Sequence, residues 1–204
     1  MTTNKENIHP VFSEIRSREE KERFLKQNAR VIWMTGLSGA GKTTIAMQLE
    51  HELGKRGFFT QVLDGDNVRS GINNNLSFSQ DDRFENIRRI AEVSRLFLNC
   101  GVICINSFIS PTKKIREVAY HIIGRHNMIE VFVDSPVEVC EQRDVKGLYQ
   151  KARKGLISDF TGISSPFEPP ENPDIILNTD TMTVKDCITK CLDYILPIIT
   201  YKDK

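Results

Sequence analysis

A glycine-rich stretch near the start of the chain has the residue types and spacing that suit phosphate binding. It reads GLSGAGKT over residues 36–43, and a strand candidate, Val31–Thr35, precedes it. Ile45, Leu49 and Leu53 follow at the four-residue spacing of one helix face. Glycine amides can surround phosphate oxygens where a Cβ would obstruct them, and the N-terminus of the next helix carries a partial positive charge. The pattern predicts binding of a nucleoside triphosphate.

Every residue of this loop is expected to contact the triphosphate. The nucleotide-binding candidates are Gly36, Leu37, Ser38, Gly39, Ala40, Gly41, Lys42, Thr43 and Thr44. The Lys42 ammonium can reach the β- and γ-phosphates, and the Thr43 hydroxyl can ligate Mg²⁺. A glycine-rich turn that matches by chance is the alternative, and the strand before it and the helix after it count against that alternative.

Two acidic residues, Asp64 and Asp66, follow the second strand candidate, Thr60–Leu63. Ligands bind beyond the carboxyl ends of parallel strands, so we expect both carboxylates at the same sheet edge as the loop. A carboxylate there can orient Mg²⁺ or accept a proton from an attacking hydroxyl. An ordinary D-G-D-N turn explains the spacing equally well, because these residue types are turn formers.

A charged helix start predicts a second anionic ligand. Arg83 and Asn86 lie on the polar flank of its first turns, with Arg89 as a further candidate. Arginine binds phosphate or sulfate through a planar fork of donors, and these residues are expected beside the D-G-D-N edge. A solvent-facing charged helix surface is the alternative.

The third strand candidate, Val102–Asn106, ends without an acidic residue. The commonest Walker-B aspartate is therefore missing, and Mg²⁺ would depend on Thr43 and other groups. Ser110 follows and is expected at the active-site edge, where most such serines cap helices. Ser135 to Glu138 is interpreted as a capping box with proline at the first helical position. The chain has no N-K-x-D motif for guanine, which counts against a GTPase.

Basic residues and glycines cluster between positions 142 and 162, ahead of the last strand candidate. Phosphoryl-transfer enzymes often carry a mobile cover there that excludes water, so we expect a lid over roughly residues 143–165. A basic side chain on this lid could stabilise charge on the transferred group. A plain surface loop is the alternative.

Strand and helix patterns alternate from residue 31 onward. Predicted strands are Val31–Thr35, Thr60–Leu63, Val102–Asn106, Ile129–Val133 and Asp174–Leu177. Predicted helices are Lys42–Arg56, Arg83–Cys100, Lys113–Arg125, Pro136–Arg143 and Val184–Leu196. Short, nearly continuous apolar strands predict an α/β fold of three layers with a mostly parallel central sheet. We expect one domain over residues 31–204, preceded by an extension, residues 1–30, with a capping box at Ser17 and Glu20.

Composition excludes several classes of partner. A net charge of +1 gives no reason to expect nucleic acid or an anionic membrane as the main partner. No apolar stretch approaches the ~20 residues of a membrane span, and the polar start is unlike a secretory signal. The five cysteines lack C-x-x-C spacing, so we expect small buried side chains in a reducing, cytoplasmic setting, with an organelle left open.

Seven stretches occur in a fixed order across residues 31 to about 180. They are GLSGAGKTT, LDGDNVRSG, FSQDDRFENIRR, SFISP, VFVDSP, CEQRDVKGLY and DFTGI. Together they make the chain resemble the adenylylsulfate kinase (APS kinase) family. The resemblance implies a P-loop NTPase domain that transfers the γ-phosphate of ATP to the 3′-hydroxyl of adenosine 5′-phosphosulfate (APS). The products would be ADP and 3′-phosphoadenosine 5′-phosphosulfate (PAPS), with Mg²⁺ as cofactor.

The resemblance also implies residue roles. Residues that would hold APS are Asp66, Arg69, Phe78, Arg83, Asn86, Ile109, Lys146 and Phe160. Phe78 and Phe160 would offer aromatic faces to its adenine, and the arginines would meet its phosphosulfate. Arg143 falls in the family's lid, near the expected ATP adenine.

The catalytic candidates are Lys42 and Asp66, together with Ser110, which matches a serine described as phosphorylated in some family members. Thr43 and Asp66 are the candidate metal ligands. Direct transfer between two bound nucleotides needs no covalent intermediate, so we expect Ser110 to lie off the reaction path.

Departures from the family pattern are few. The family's usual L-G-F-S corresponds to Leu76 to Ser79 here, with Ser77 in place of the glycine. After Pro111 the family commonly has an aromatic residue and then an Asp-Arg pair, of which only the arginine, Arg116, remains. Another small-molecule kinase and a non-catalytic nucleotide-binding module are the alternatives. The DRFENIRR and DFTGI stretches count against the first alternative. The intact Lys42, Thr43 and Asp66 count against the second. The resemblance further implies a homodimer that is functionally coupled to an ATP sulfurylase.

Overall fold

Five parallel strands form one sheet, in the spatial order β2-β3-β1-β4-β5. The structure is a computed structural model that describes residues 7–11 and 13–202. The strands are β1 (Val31–Thr35), β2 (Thr60–Asp64), β3 (Ile103–Ser107), β4 (Met128–Asp134) and β5 (Ile175–Asn178). The three inner strands are buried almost throughout, because helices cover both faces, and this burial explains their nearly continuous apolar sequences. All five predicted strands are confirmed, with ends that differ by at most one residue.

Eight α-helices of the described residues surround this sheet. They are α1 (Arg18–Leu25), α2 (Lys42–Lys55), α3 (Gly65–Arg69), α4 (Gln80–Asn99), α5 (Lys113–Ile123), α6 (Val137–Arg143), α7 (Leu148–Arg153) and α8 (Val184–Ile199). Short α3 occupies the D-G-D-N stretch, so this stretch is more than a turn. Helix α7 lies within residues 143–165, which we call the lid segment.

Helix ends differ from the predictions for local reasons. Helix α4 begins three residues earlier than expected, because Ser79 caps it by accepting from the Asp82 amide at 3.2 Å. Helix α5 ends at Ile123, before Gly124 with its φ of 87°. Helix α8 continues through Pro197 to Ile199. Local capping chemistry thus decided the ends of α4 and α5, while apolar periodicity placed α2, α4, α5, α6 and α8 correctly; α3 and α7 were not predicted.

The predicted capping box at Ser135 is wrong. Helix α6 begins at Val137 with Pro136 as its N-cap, so proline precedes the first helical position. Proline has no side-chain acceptor to offer there, and Ser135 lies one residue too early to replace it. The Ser135 Oγ is buried and has no hydrogen-bond partner among the described residues. The capping box at Ser17 is confirmed, since its hydroxyl and the Glu20 carboxylate bond each other's amides.

Apolar side chains fill both faces of the sheet. Within β1, Ile32 and Met34 point into a cluster that includes residues of α2 and α8. Val31 and Trp33 join the opposite cluster, with residues of α4 and α5. Alternate residues of one strand therefore contribute to two cores, which is the arrangement of a three-layer α/β fold.

The segment after α1 is joined to the base of the sheet by Gln27, whose side chain is buried. Its Nε2 donates to the carbonyl oxygens of Phe59 at 2.9 Å and Gly101 at 2.8 Å. Its Oε1 accepts from the Phe59 amide at 2.8 Å. This part of the expected extension packs on the core, whereas residues 1–6 and position 12 lie outside the described residues, as do residues 203 and 204 at the other end.

Four of the five free cysteines are buried, as expected, and Cys100 at the C-cap of α4 is exposed, contrary to that expectation. Within the described ranges, no group of three or more His, Cys, Asp or Glu side chains could hold a metal ion. No helix of residues 7–11 and 13–202 has both the length and the apolar content needed to cross a bilayer.

Candidate active site

The loop between β1 and α2 adopts a backbone that needs glycine. Gly36, Gly39 and Gly41 have φ values of 152°, 76° and 102°. A Cβ on Gly36 would lie 2.3 Å from the Val133 carbonyl oxygen, so a larger residue would force β1 and β4 apart. Gly41 is the N-cap of α2 and has no side chain to satisfy the first helical amides. Those amides are available for an anion, which is the predicted role of the loop.

The Lys42 ammonium folds back over the loop that carries it. Its Nζ donates to the carbonyl oxygens of Gly36 at 3.0 Å and Leu37 at 2.8 Å. The residue is only 8 % exposed, and burial lowers the pKa of Lys42 to about 8. A buried ammonium bonded only to neutral carbonyls is poorly stabilised. A phosphate bound in the loop would supply the negatively charged partner that this ammonium does not have among its hydrogen bonds.

Three side-chain oxygens meet beside the loop. The Thr43 hydroxyl donates to Asp64 Oδ2 at 2.7 Å and lies 3.4 Å from Ser107 Oγ. Asp64 and Ser107 face each other in the register of β2 and β3, so two strand ends supply this cluster. Carboxylate and hydroxyl oxygens are the ligands that Mg²⁺ prefers, so the donor set fits that ion.

Thr43 and Asp66 were the metal candidates from the sequence, and Asp64 was considered only as a second carboxylate at the same edge or as a turn residue. Asp64 also accepts from the Asp66 amide at 3.1 Å and caps α3, which is the turn role considered for it. The pairing of β2 with β3 was the signal that could have separated the two roles, because it brings Asp64 opposite Ser107. That pairing cannot be read from the order of the elements.

Asp66 lies in α3, and its carboxylate forms an ion pair with Lys146 of the lid segment. The two side chains are 69 % and 57 % exposed. Exposed pairs of this kind contribute little to stability, so each partner can exchange the other for a ligand at low cost. The structure therefore brings together two residues that were assigned to the same substrate from opposite sides of the cleft.

Arg69 and Phe78, two of the residues assigned to APS, stack on each other. The Arg69 guanidinium lies 4.4 Å from the centroid of the Phe78 ring, and it donates to the carbonyl oxygens of Leu76 at 3.2 Å and Ser77 at 3.0 Å. Phe78 is 59 % exposed. An exposed aromatic ring with a cation on one face is a suitable surface for a nucleobase.

Arg83 connects the start of α4 to the lid segment. Its Nε donates to the Phe78 carbonyl oxygen at 2.8 Å, and its terminal nitrogens donate to Thr161 Oγ1 at 2.6 Å and to the Asp159 carbonyl oxygen. Asn86 is buried and accepts from Asn73 Nδ2 at 2.9 Å. These contacts place Arg83 between the predicted lid and other residues assigned to APS.

Arg89 has different partners. It pairs with Glu85 at 2.8 Å and donates to Asn75 Oδ1 at 2.8 Å. A carboxylate already compensates its charge, so the solvent-facing helix surface considered above describes Arg89 better than an anion site does.

The helix-capping interpretation of Ser110 is wrong. Thr112 caps α5 instead, accepting from the Ile115 amide at 3.3 Å. Ser110 is 2 % exposed with a φ of 46°, and its Oγ accepts from Trp33 Nε1 at 2.9 Å. The retained Arg116 donates to the Ser110 carbonyl oxygen at 3.0 Å. The serine hydroxyl therefore lies within the core.

Ile109 contacts the loop through its backbone. Its carbonyl oxygen accepts from the Thr35 hydroxyl at 2.6 Å and from the Gly36 amide at 3.4 Å. The segment after β3 is thereby fixed against the start of the phosphate-binding loop.

Two side chains of the lid segment form hydrogen bonds with this loop. Arg143 donates to the carbonyl oxygens of Thr179 at 2.6 Å and Gly39 at 3.4 Å. The Tyr149 hydroxyl donates to the Ser38 carbonyl oxygen at 2.9 Å. Phe160 is only 8 % exposed and packs edge-to-face on Tyr149. Tyr149 was not among the residues singled out from the sequence; an aromatic residue among the basic residues of the lid was the available signal.

A phosphate-binding loop, an oxygen cluster at Thr43 and a basic lid segment lie together on an α/β sheet, and they define a kinase of the P-loop class. Residues 28–178 match the family model of adenylylsulphate kinase. The chain is 57 % identical over 198 residues to the adenylyl-sulfate kinase of Bacteroides thetaiotaomicron, covering 97 % of this chain and 98 % of that one. The chain therefore belongs to the adenylylsulphate kinase family.

More distant relatives agree with this assignment. The adenylyl-sulfate kinase of Emericella nidulans is 49 % identical over 187 residues, which cover 88 % of this chain and 91 % of that one. The solved structure of the Mycobacterium tuberculosis APS kinase in complex with AMPPNP and APS is 41 % identical. It aligns with a TM-score of 0.80, covering 83 % of this chain and 98 % of that chain. The predicted fold class and the family resemblance are confirmed.

Proposed function

We propose that this chain transfers the γ-phosphate of ATP to the 3′-hydroxyl of APS and releases PAPS and ADP, within sulfate activation. The observation that carries the proposal is the ion pair between Asp66 and Lys146. It lies between a loop suited to a triphosphate and an aromatic and arginine surface suited to a second nucleotide. The relative from Mycobacterium tuberculosis was solved with AMPPNP and APS bound, which supports the same pair of ligands here.

On the donor side, residues 36–44 would hold the triphosphate, and Arg143 would lie beside the ATP adenine. Lys42 would exchange the carbonyl oxygens of Gly36 and Leu37 for phosphate oxygens, and its charge would then stabilise the shift of electrons toward the β–γ bridge. Mg²⁺ would be held at Thr43 with Asp64 and Ser107 nearby; Asp66 remains a further candidate ligand. When bound, Mg²⁺ supplies charge neutralisation on the phosphates.

On the acceptor side, Asp66 would accept the proton of the 3′-hydroxyl as that oxygen attacks. Lys146 forms an ion pair with this carboxylate and could turn to the transferred group. Residues proposed to hold APS are Arg69, Phe78, Arg83, Asn86, Ile109, Lys146 and Phe160. The arginines would meet the phosphosulfate through charge-assisted hydrogen bonds.

Transfer would be direct, from one bound nucleotide to the other. The buried Ser110 hydroxyl, bonded to Trp33, would remain off the path, since a covalent carrier must reach the γ-phosphate. The chain's part in the reaction is therefore to align the substrates, exclude water and remove one proton.

A direct assay tests this proposal. Purified protein is given ATP and Mg²⁺ with APS, adenosine or shikimate, and both ADP release and the phosphorylated product are measured. We expect turnover with APS alone and PAPS as the product. ATP consumption triggered by adenosine or shikimate instead would assign a different small-molecule kinase activity. ATP binding without turnover of any acceptor would indicate a regulatory module.

Assembly and cellular setting are part of the same proposal. We propose a homodimer in the cytoplasm, supplied with APS by an ATP sulfurylase. The four buried free thiols support a reducing setting. Light scattering would measure the mass in solution, fractionation the location, and co-purification the association with a sulfurylase; a monomeric mass would contradict the dimer.

A further inference from the structure

One side chain touches both halves of the candidate site. Tyr149 is 1 % exposed, although charged and exposed residues surround it in the lid segment. Its hydroxyl donates to the Ser38 carbonyl oxygen at 2.9 Å. Its ring meets Phe160 edge-to-face, with centroids 4.9 Å apart and planes at 76°. Burial raises the pKa of the phenol, so the hydroxyl stays protonated and remains a donor.

Phe160 is in turn part of a tight turn that reaches the acceptor side. Next to it, Thr161 Oγ1 accepts from Arg83 at 2.6 Å. Gly162 then packs on Leu37, and a Cβ there would lie only 3.0 Å from a Leu37 methyl carbon. The turn is therefore held between the phosphate-binding loop and α4. A shift of Phe160 would therefore be passed on to its neighbour Thr161, the partner of Arg83.

The other end of this connection is a peptide group of the phosphate-binding loop. A triphosphate fixes the orientation of the peptides in such a loop, because their amides bind its oxygens. The orientation of the Ser38 carbonyl, and with it the strength of the Tyr149 hydrogen bond, then depends on the nucleotide. Coupling between two binding sites is reciprocal, so a bond that responds to one ligand alters the affinity for the other.

We propose that Tyr149 is a positioning residue that couples nucleotide binding in the loop to APS binding beside Phe160 and Arg83. The inference rests on the proposed function, since it concerns how the sites for its two substrates communicate. Tyr149 acts through Ser38 and Phe160, and the reacting atoms are handled by other residues. Its anchor is firm, because Asp144 accepts from the Tyr149 amide at 3.0 Å and holds the start of α7.

The test uses Tyr149→Phe, which removes the hydroxyl and keeps the ring against Phe160. Calorimetry measures the Kd of APS with the loop empty and with the loop filled by a non-hydrolysable ATP analogue, and the ratio is the coupling factor. We expect the analogue to tighten APS binding to the wild type. The variant's factor should fall toward one, by up to about fivefold, as for the loss of one neutral hydrogen bond.

Tyr194→Phe is the matched control. Tyr194 lies on α8, and its hydroxyl donates to Asp174 Oδ1 at 3.2 Å. This variant therefore also loses one tyrosine hydrogen bond, but Tyr194 belongs to neither half of the site. Its coupling factor should equal that of the wild type. Circular dichroism and the thermal midpoint establish that both variants are folded.

The outcomes separate this inference from the proposed function. A coupling factor of one in the wild type, or an unchanged factor in Tyr149→Phe, overturns the inference while APS phosphorylation by the wild type still supports the function. Equal weakening of both APS affinities, with an unchanged ratio, shows a purely structural role and also overturns it. A wild type that does not phosphorylate APS refutes the proposed function itself.

Discussion

The two sides of the cleft are held in contrasting ways. On the donor side, backbone groups form most of the site. Gly36 has no room for a Cβ, and the buried Lys42 ammonium donates to backbone carbonyl oxygens. On the acceptor side, exposed side chains hold one another, as Asp66 does with Lys146 and Arg69 with Phe78. The comparison indicates a fixed cradle for a ligand common to many kinases and exchangeable contacts for the ligand that distinguishes this family.

The two largest effects are expected at Lys42 and Asp66, and the first of them is on the donor side. Lys42→Ala should lower kcat by about 10²–10³, because the charge matters most as negative charge develops on the β–γ bridge. Steady-state ADP release measures the loss, and circular dichroism checks the fold. Lys55→Ala, at the other end of α2, is the control. Wild-type turnover in a folded Lys42→Ala chain would refute the role of the loop.

Asp64 and Asp66 are assigned to different sides of the cleft, and their asparagine variants test that assignment. Asp66→Asn should lower kcat by about 10²–10⁴, as for a lost general base, since a neutral amide cannot take the hydroxyl proton. Asp64→Asn keeps the α3 cap and loses only charge beside Thr43, so the Mg²⁺ concentration for half-maximal rate should rise with a smaller loss of kcat. Titrations with Mg²⁺ measure both. Equal or reversed losses of kcat would contradict these roles.

Arg83 tests the acceptor side alone. Arg83→Ala should raise KM for APS by about tenfold to a hundredfold, as for a charge-assisted contact, with little change in KM for ATP. Arg89→Ala, six residues along the same helix and paired with Glu85, should leave both constants near their original values. A loss of affinity confined to ATP would place Arg83 on the wrong side of the cleft.

The buried lysine also predicts a pH dependence on the donor side. Its pKa is about 8 in the folded chain, and an unperturbed lysine has about 10.4, so between these values the free protein binds fewer protons than the unfolded chain or the anion complex. The ATP analogue should therefore bind with uptake of a fraction of one proton near pH 8.5, and more weakly as pH rises.

Calorimetry in two buffers of different ionisation enthalpy measures that uptake, and Lys42→Ala should abolish it. By the same sign, this residue's contribution to the free energy of unfolding should increase as pH rises from about 8 to 10.4, where the penalty for the buried charge is relieved. Binding without proton uptake in the wild type would mean that the lysine is already charged in the free chain.

The smallest effect is expected at Ser110, which belongs to neither side. Ser110→Ala should slow turnover by no more than a few-fold and lower the free energy of unfolding by about 1–3 kcal/mol, because the buried Trp33 N–H loses its acceptor. Steady-state rates and thermal unfolding measure these changes. Transfer with chiral γ-phosphate should give inversion; retention, or complete loss of activity, would put the serine on the reaction path.

What the sequence predicted well are features fixed by local chemistry. The glycine spacing identified the phosphate-binding loop, and short apolar runs located all five strands of the sheet. Errors arose where neighbours distant in sequence decide. Asp64 gains its place beside Thr43 from the β2–β3 pairing, and Ser110 is turned inward by Trp33. Ser135 failed for a local reason, a one-residue offset of the cap.

Gln27 bears on where the autonomous folding unit begins. The match to the family model starts one residue later, at position 28, yet the Gln27 side-chain amide bonds backbone groups of both Phe59 and Gly101. Cutting the chain before position 28 would remove the partner of two carbonyl oxygens and one amide, at a cost of about 1–3 kcal/mol for each group that stays buried. The stretch that this enzyme needs for its stability therefore begins upstream of the stretch that the family model matches.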